Sequence, residues 1–322
     1  MFDPTLIPPD MLAELDKLAL DSQAIVNDFL FRLDQQSPVP ETLYHYTNAA
    51  GLKGILESGK LWLSDIRSLN DPSEISHPFS RVIKILEEVV ASIHPAGAKF
   101  TNNIKAFAES GLLQNVAHFF VCSFSSEPDD LYQWQSYAEQ GCGYAIAFDG
   151  KLLENVFITQ SDGSPDPHRS TLLIRYDDTE LEQVQRAIVT RMASLVTAPE
   201  GRKDLSADAI NAYMAELTVR ALLPLLQVVL SFKHPAYKHE HEFRFLEIHR
   251  MDQPPAFLTR QRANSEVRYR EFNWRSRAPE AVAEIRVGPA ADLEAATRHI
   301  KDCLPAGINP RTIPSDIPFR NA

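Results

Sequence analysis

The chain has 322 residues, 44% of them hydrophobic and 23% charged, which is the balance of a globular protein with ample material for a core. Its net charge of −11 argues against broad adsorption to nucleic acid or anionic membrane, while leaving room for a local basic groove. Residues 1–10, MFDPTLIPPD, lack a basic segment leading into an apolar one, and no long apolar run follows; neither a signal peptide nor a membrane span is expected, and the cytoplasm is the expected location.

Cys122, Cys142 and Cys303 are odd in number and widely spaced, which fits a reducing compartment and no disulfide framework or zinc cluster. From about Pro8 to Leu33, Leu12, Leu15, Leu18, Leu20, Ile25, Phe29 and Leu33 recur at near-helical steps, predicting a helical arm. Ser37-Pro38-Val39-Pro40 ends it as a short linker. Such an arm packs on its own domain, pairs with a second copy, or binds a partner.

A single domain is expected from Glu41 to the end, carrying a helical insertion at about 178–230. Thr42–Thr47 is β-rich, Asn48 is placed to cap the helix of Leu52, Ile55 and Leu56, and Gly59 to close it. Lys60–Ser64 follows as a second strand. Asn70-Asp71-Pro72 is then a turn with Asx hydrogen bonds, and Glu74 beyond it is a possible pocket-lining residue. Helices are expected from Pro78 to about Val90 and from Asn103 to Leu113. His118–Ser125 is apolar enough for a strand buried on both faces.

Asp129 or Asp130 caps a helix over Leu131–Gln140, Gly141 ends it, and Gly143–Phe148 is another buried strand. Thr159–Ser170 reads as a polar loop and Thr171–Tyr176 as a strand. Two helices follow, at about 179–196 and 206–230. Strands are expected at Arg268–Phe272 and Ala283–Val287, a helix at Ala291–Leu304, and an edge strand at Thr312–Ile317. Interspersed elements without regular alternation make the class α+β.

The stretch Tyr237–Ile248, YKHEHEFRFLEI, alternates strictly and predicts a strand. On it Glu240, Glu242 and Arg244 share one face, with His239, His241, Phe243 and Phe245 on the other. Two carboxylates and a guanidinium make poor core material, so that face looks into water or into a site. His239 and His241, joined by His45 or His234, are candidates for a metal site, although their face reads more simply as packed interior. No phosphate loop, dinucleotide fingerprint or nucleophile elbow occurs. Cys122 and Ser123 lie in an apolar strand without a neighbouring base and read as small buried residues rather than nucleophiles.

The ordered motifs LYHYT, GILESGKLWLSDIRSLNDPSE, CSFSSEPDDLYQWQSYAEQGCGYAIAFD, K-x-x-x-Y-x-x-E-x-E-F-R and EIRVGP, from Leu43 to Pro289, resemble the bacterial domain-of-unknown-function family 2971. More distantly, their order is similar to the ADP-ribosyltransferase fold in its His-Tyr-Glu branch. That resemblance implies a mainly antiparallel split sheet and NAD as substrate. It implies that His45 bonds the ribose of NAD, that Thr47 supports the strand, and that the backbone of Tyr46 contacts nicotinamide. Tyr137 or Tyr132 would stack on nicotinamide, with Ser123 on the middle strand also lining the NAD site. Glu242 would be the catalytic glutamate, Glu240 would contact the acceptor, and Arg244 would hold a phosphate or pair with either glutamate. The acceptor would be an unidentified protein or nucleic acid, and the setting a toxin or phage-defence effector. Two other readings stay open: a non-catalytic nucleotide-sensing module on the same fold, and a metal-dependent hydrolase at His239 and His241.

Overall fold

In a computed structural model, residues 3–36, 38–68, 76–110, 117–250, 253–262 and 265–319 are described. The turn at Asn70–Pro72 and Glu74 lie outside them. The chain divides into two units.

The first unit is helical. It gathers α1 (Pro9–Gln36), α3 (Ser76–Leu86), α4 (Pro95–Glu109), α7 (Asp178–Val196) and α8 (Ala207–Val229). The N-terminal helix is therefore no free arm: it packs on α7 and α8. Its buried stripe is Met11, Leu15, Leu18, Ser22, Val26 and Phe29, and Phe29 stacks on Phe232. Leu20, expected on that stripe, is 72% exposed, because successive steps of three and four from Leu15 and Leu18 lead to Ser22 rather than to position 20. Arg220 pairs with Asp16 and Arg202 with Asp10 at the edges of the stripe. By length and composition α8 is apolar enough to cross a membrane, and 56% of its most apolar stretch is buried within the fold, as in the central helix of a bundle.

The second unit is α+β and holds the sheet. β1 (Thr42–Thr47) ends at Asn48, whose side chain accepts from Gly51 N at 2.8 Å and starts α2 (Ala49–Ser58). Gly59, at φ 68, closes that helix as expected. β2 (Lys60–Asp65), β3 (Ala117–Ser125), α5 (Leu131–Tyr137), β4 (Tyr144–Asp149), α6 (Gly150–Ile158) and β5 (Arg169–Leu173) follow. The chain then supplies β6 (Glu242–Arg250), β7 (Leu258–Arg262), β8 (Ser265–Asn273), β9 (Val282–Val287), α9 (Leu293–Cys303) and β10 (Arg311–Pro314). Asp130 caps α5, accepting from Gln133 N at 2.9 Å. That helix stops at Tyr137, short of the expected Gln140, because Glu139 and Gln140 both take positive φ.

Strand order is β10-β9-β4-β1-β3-β2-β8-β7, and the registered ladders are antiparallel except β9 with β10. The sheet branches at β3, which pairs with β1, with β2 and with β6, while β6 also pairs with β5. Directly opposite residues share a face. The registers Tyr44↔Ser125, Ser64↔Val121 and Ser64↔Tyr269 therefore put Tyr44, Tyr46, Ser123, Ser125, Trp62, Ser64 and Tyr269 on one side. Leu43, His45, Leu61, Leu63, Phe120, Cys122, Phe124 and Phe272 lie on the other. Apart from His45 that second set belongs to the main core cluster, together with Phe243, Phe245 and Trp274.

Candidate functional site

The alternating stretch does not form one strand. Residues Pro235–Glu240 make a 3-10 helix, His241 sits at φ 44, and the ladder begins only at Glu242. A positive φ at a non-glycine residue reverses the local course of the chain, so the period-two reading fails on its N-terminal side. Phe243 and Phe245 enter the core as expected. His239 and His241 do not join them: both are exposed. Among the described residues no three His, Cys, Asp or Glu side chains gather as metal ligands.

Glu240 thus reaches the site from a helical turn rather than from the strand face of Glu242. It is 3% exposed; its Oε1 accepts from the Tyr137 hydroxyl at 2.6 Å. Its backbone carbonyl accepts from Ser125 Oγ at 2.8 Å and Gln133 Nε2 at 3.0 Å. Those bonds tie α5, the end of β3 and the entry to β6 into one corner.

Glu242 is the centre of that corner. Also 3% exposed, it accepts at Oε1 from Ser123 Oγ at 2.5 Å and from Arg244 Nε at 2.9 Å, with Arg244 Nη2 at 2.8 Å. Arg244 is fully buried. Three donors on one carboxylate oxygen fix its position and its charge distribution, and such charge-assisted bonds are about twice as strong as neutral ones. Cys122, one residue from Ser123 on the core side, has its thiol pushed up to about 12 by burial and by the Glu242 charge. At neutral pH it is an inert thiol.

His45 meets the same strand from the other side. Its Nδ1 lies 3.1 Å from the Ser123 carbonyl oxygen, and its ring stands edge-on to Phe124. Burial holds the imidazole below its ordinary pKa, partly opposed by the Ser123 contact. Ser123 therefore joins two of the expected site residues, His45 through its carbonyl and Glu242 through its hydroxyl. Side-chain parity nonetheless sends His45 and Glu242 to opposite faces of the ladder.

The remaining candidates divide. Tyr137 is in the corner, on Glu240. Tyr46 is buried, donates to the Glu127 carbonyl at 2.8 Å, and packs edge-on to Trp134 at 4.8 Å; burial, ahead of the charges of Asp129 and Asp130, raises its phenol pKa. Its side chain braces the turn before α5. Thr47 lies at the strand end beside Gly51, which has no room for a Cβ there. Tyr132 is half-buried on α5, and the corner's bonds run to Tyr137 instead.

Two clusters escaped the sequence reading. Glu247, 1% exposed, takes Arg169 at 3.0 Å, His249 at 2.6 Å and Arg270. Burial works to raise its pKa, but the His249 bond and the arginine charges outweigh it and leave the carboxyl below the ordinary value. On the polar face of the sheet, Trp62 is 41% exposed and packs against Tyr269 at 4.4 Å, with the Arg260 guanidinium 4.9 Å from its ring centre. The signal for Trp62 was present in KLWLS, where alternation with Leu61 and Leu63 turns the indole away from the core.

Residues 133–245 match the model of a family described as a protein of unknown function, DUF2971. That span runs from α5 into β6 and contains Tyr137, Glu240, Glu242 and Arg244, while His45 and Ser123 precede it. No curated protein and no solved structure matches the chain.

Proposed function

We propose that the chain cleaves the nicotinamide–ribose bond of NAD and transfers ADP-ribose to a macromolecular acceptor, with Glu242 as the carboxylate at the reacting ribose. The observation that carries this reading is the Ser123 hydroxyl donating to Glu242 Oε1 at 2.5 Å, at the point where the sheet branches; the expected meeting of His45 with Glu242 is not part of it, since His45 lies on the other face. Loss of nicotinamide leaves positive charge on the ribose ring carbon and oxygen, as in glycoside hydrolysis. A carboxylate fixed beside that carbon stabilises the charge without having to reorganise as it develops. The acceptor's nucleophilic atom then bonds to the ribose carbon, and its proton passes to a base, a role within reach of Glu240 in the same corner. Ser123 is a positioning residue for Glu242, and Arg244 pairs with the same carboxylate oxygen. A toxin or phage-defence effector is the setting this reading suggests.

The buried Arg244–Glu242 pair favours a second reading, a nucleotide-binding module without turnover, because a carboxylate held by a guanidinium is also a sound structural device. Nicotinamide release from NAD separates the two. Transferase chemistry requires release by the wild type and its loss in Glu242→Gln, with a smaller loss in Ser123→Ala. Binding of NAD without release supports the module.

A further inference from the structure

Charge is distributed unevenly along this acidic chain. Between Leu258 and Arg277 stand six arginines, Arg260, Arg262, Arg268, Arg270, Arg275 and Arg277, against Glu266 and Glu271, in a protein of net charge −11. Arg270 is committed to Glu247, and Arg275 and Arg277 donate to main-chain carbonyls of Leu56, Glu57, Val156 and Thr159. Arg262 donates to the Ser68 carbonyl at 3.3 Å, while Arg260 and Arg268 have no carboxylate partner among the described residues. Each instead lies over an aromatic ring, Arg260 over Trp62 and Arg268 over Phe257 at 4.8 Å.

Arg260 is the more constrained of the two. Its Nη2 donates to Ser64 Oγ at 3.2 Å, while its Nε is buried without a partner. A guanidinium drawn out of water with no counter-charge is a cost unless an anion completes it. Around it the surface is apolar and exposed: Trp62 at 41%, Leu258 at 48% and Phe257 at 38%. The registers Arg260↔Val267 and Leu258↔Tyr269 put Arg260, Arg262 and Leu258 on the same sheet face as Trp62, Ser64 and Tyr269. Through β2 and β3 that is also the face of Ser123, whose hydroxyl holds Glu242.

We infer that this face of β2, β8 and β7 binds a single strand of nucleic acid, Arg260 taking a phosphate and Trp62 stacking a base. On the transferase reading, on which this last step rests, the strand is the ADP-ribose acceptor. Arginines alone also suit an acidic peptide; the exposed indole beside them favours a ligand with a planar face at every residue. A duplex keeps its bases stacked on one another and offers none to Trp62.

The test is fluorescence anisotropy of the full chain with short labelled single-stranded DNA and RNA of mixed sequence, with a duplex and an acidic peptide as comparators. With one phosphate contact at about −0.7, log affinity should fall with log salt at that slope, about 2.6-fold between about 50 and 200 mM. Arg260→Ala should flatten that slope, and Arg260→Lys should restore it. Trp62→Ala should weaken binding about 5- to 150-fold at unchanged slope, the range that loss of one stacked base allows. Absence of saturable single-strand binding at low salt overturns the inference, as does preference for the duplex or the peptide, or a slope indifferent to Arg260. Nicotinamide release from the same preparations is read separately. Binding without release removes the transferase and keeps the strand site; release without binding does the reverse.

Discussion

Replacing Arg244 with methionine keeps most of its volume and removes its charge. Arg244 is fully buried and Glu242 is 3% exposed, with two guanidinium nitrogens within 2.9 Å of Oε1. Removing one partner of such a pair strands the other charge away from water, at about 3–5 kcal/mol. Glu242→Gln should cost a similar amount for the mirror reason, since it removes the carboxylate charge that the buried guanidinium pairs with. The double variant should cost less than the sum of the two, by a coupling of about 1–3 kcal/mol in a double-mutant cycle. Urea unfolding read by tryptophan fluorescence suits this, because Trp62, Trp134 and Trp274 all belong to the sheet unit. With a slope of about 1–3 kcal/mol per molar urea, each single variant should lower the midpoint by about 1 M or more. Additive singles, or a negligible shift in Arg244→Met, would refute the view that the pair is desolvated and mutually dependent.

Ser22 is fully buried on α1 and its hydroxyl has no hydrogen-bond partner; Ser22→Ala should stabilise the helical unit by about 1 kcal/mol, seen as a raised melting midpoint in far-UV circular dichroism. Gly143 has the Thr47 carbonyl oxygen 2.4 Å from where a Cβ would stand, so Gly143→Ala forces two main chains apart and should cost about 1–3 kcal/mol by urea titration. Glu247 has a folded pKa below its ordinary value of 4.5, so its contribution is present above that value and is lost as pH falls through the lower folded pKa. Glu247→Gln should therefore destabilise the sheet unit by about 1.5–3 kcal/mol at neutral pH, and the gap from wild type should close below about pH 4.5.

The elements legible in the sequence were those whose local signals and tertiary roles agree. β1, β3 and β4 are apolar enough to be found by composition alone, and α2 is bracketed by Asn48 and Gly59, each doing what its chemistry suggests. The α+β class follows from their order, whereas the largely antiparallel sheet was an expectation of the fold resemblance. α6 was missed because it starts at Gly150 directly after β4, with no loop to announce it; the signal was Asp149, whose side chain accepts from Leu152 N at 2.9 Å. β7 was missed because an edge strand exposed on both faces, LTRQR, has no apolar period to read.

In the candidate site, Glu242 and its guanidinium neighbour were readable from two-residue spacing on a strand. The pattern before them misled. Alternation across His239, Glu240 and His241 is a property of composition, and the turn through His241 gives those residues other neighbours. Ser123 was hardest to judge, since nothing in CSFS distinguishes a buried hydroxyl in an apolar strand from one that reaches a carboxylate 119 positions away. Only the pairing of β3 with β6 makes that difference.

The central claim, that Glu242 acts on the ribose of NAD, is tested most directly by nicotinamide release from NAD with wild type and Glu242→Gln side by side, each supplied with protein and single-stranded nucleic-acid acceptors. The expected result is release by wild type and a fall of about a hundredfold or more in the variant, the scale for loss of one preorganised group at a developing charge, with unchanged tryptophan fluorescence. No release by wild type with any acceptor, or release undiminished in Glu242→Gln, would contradict it.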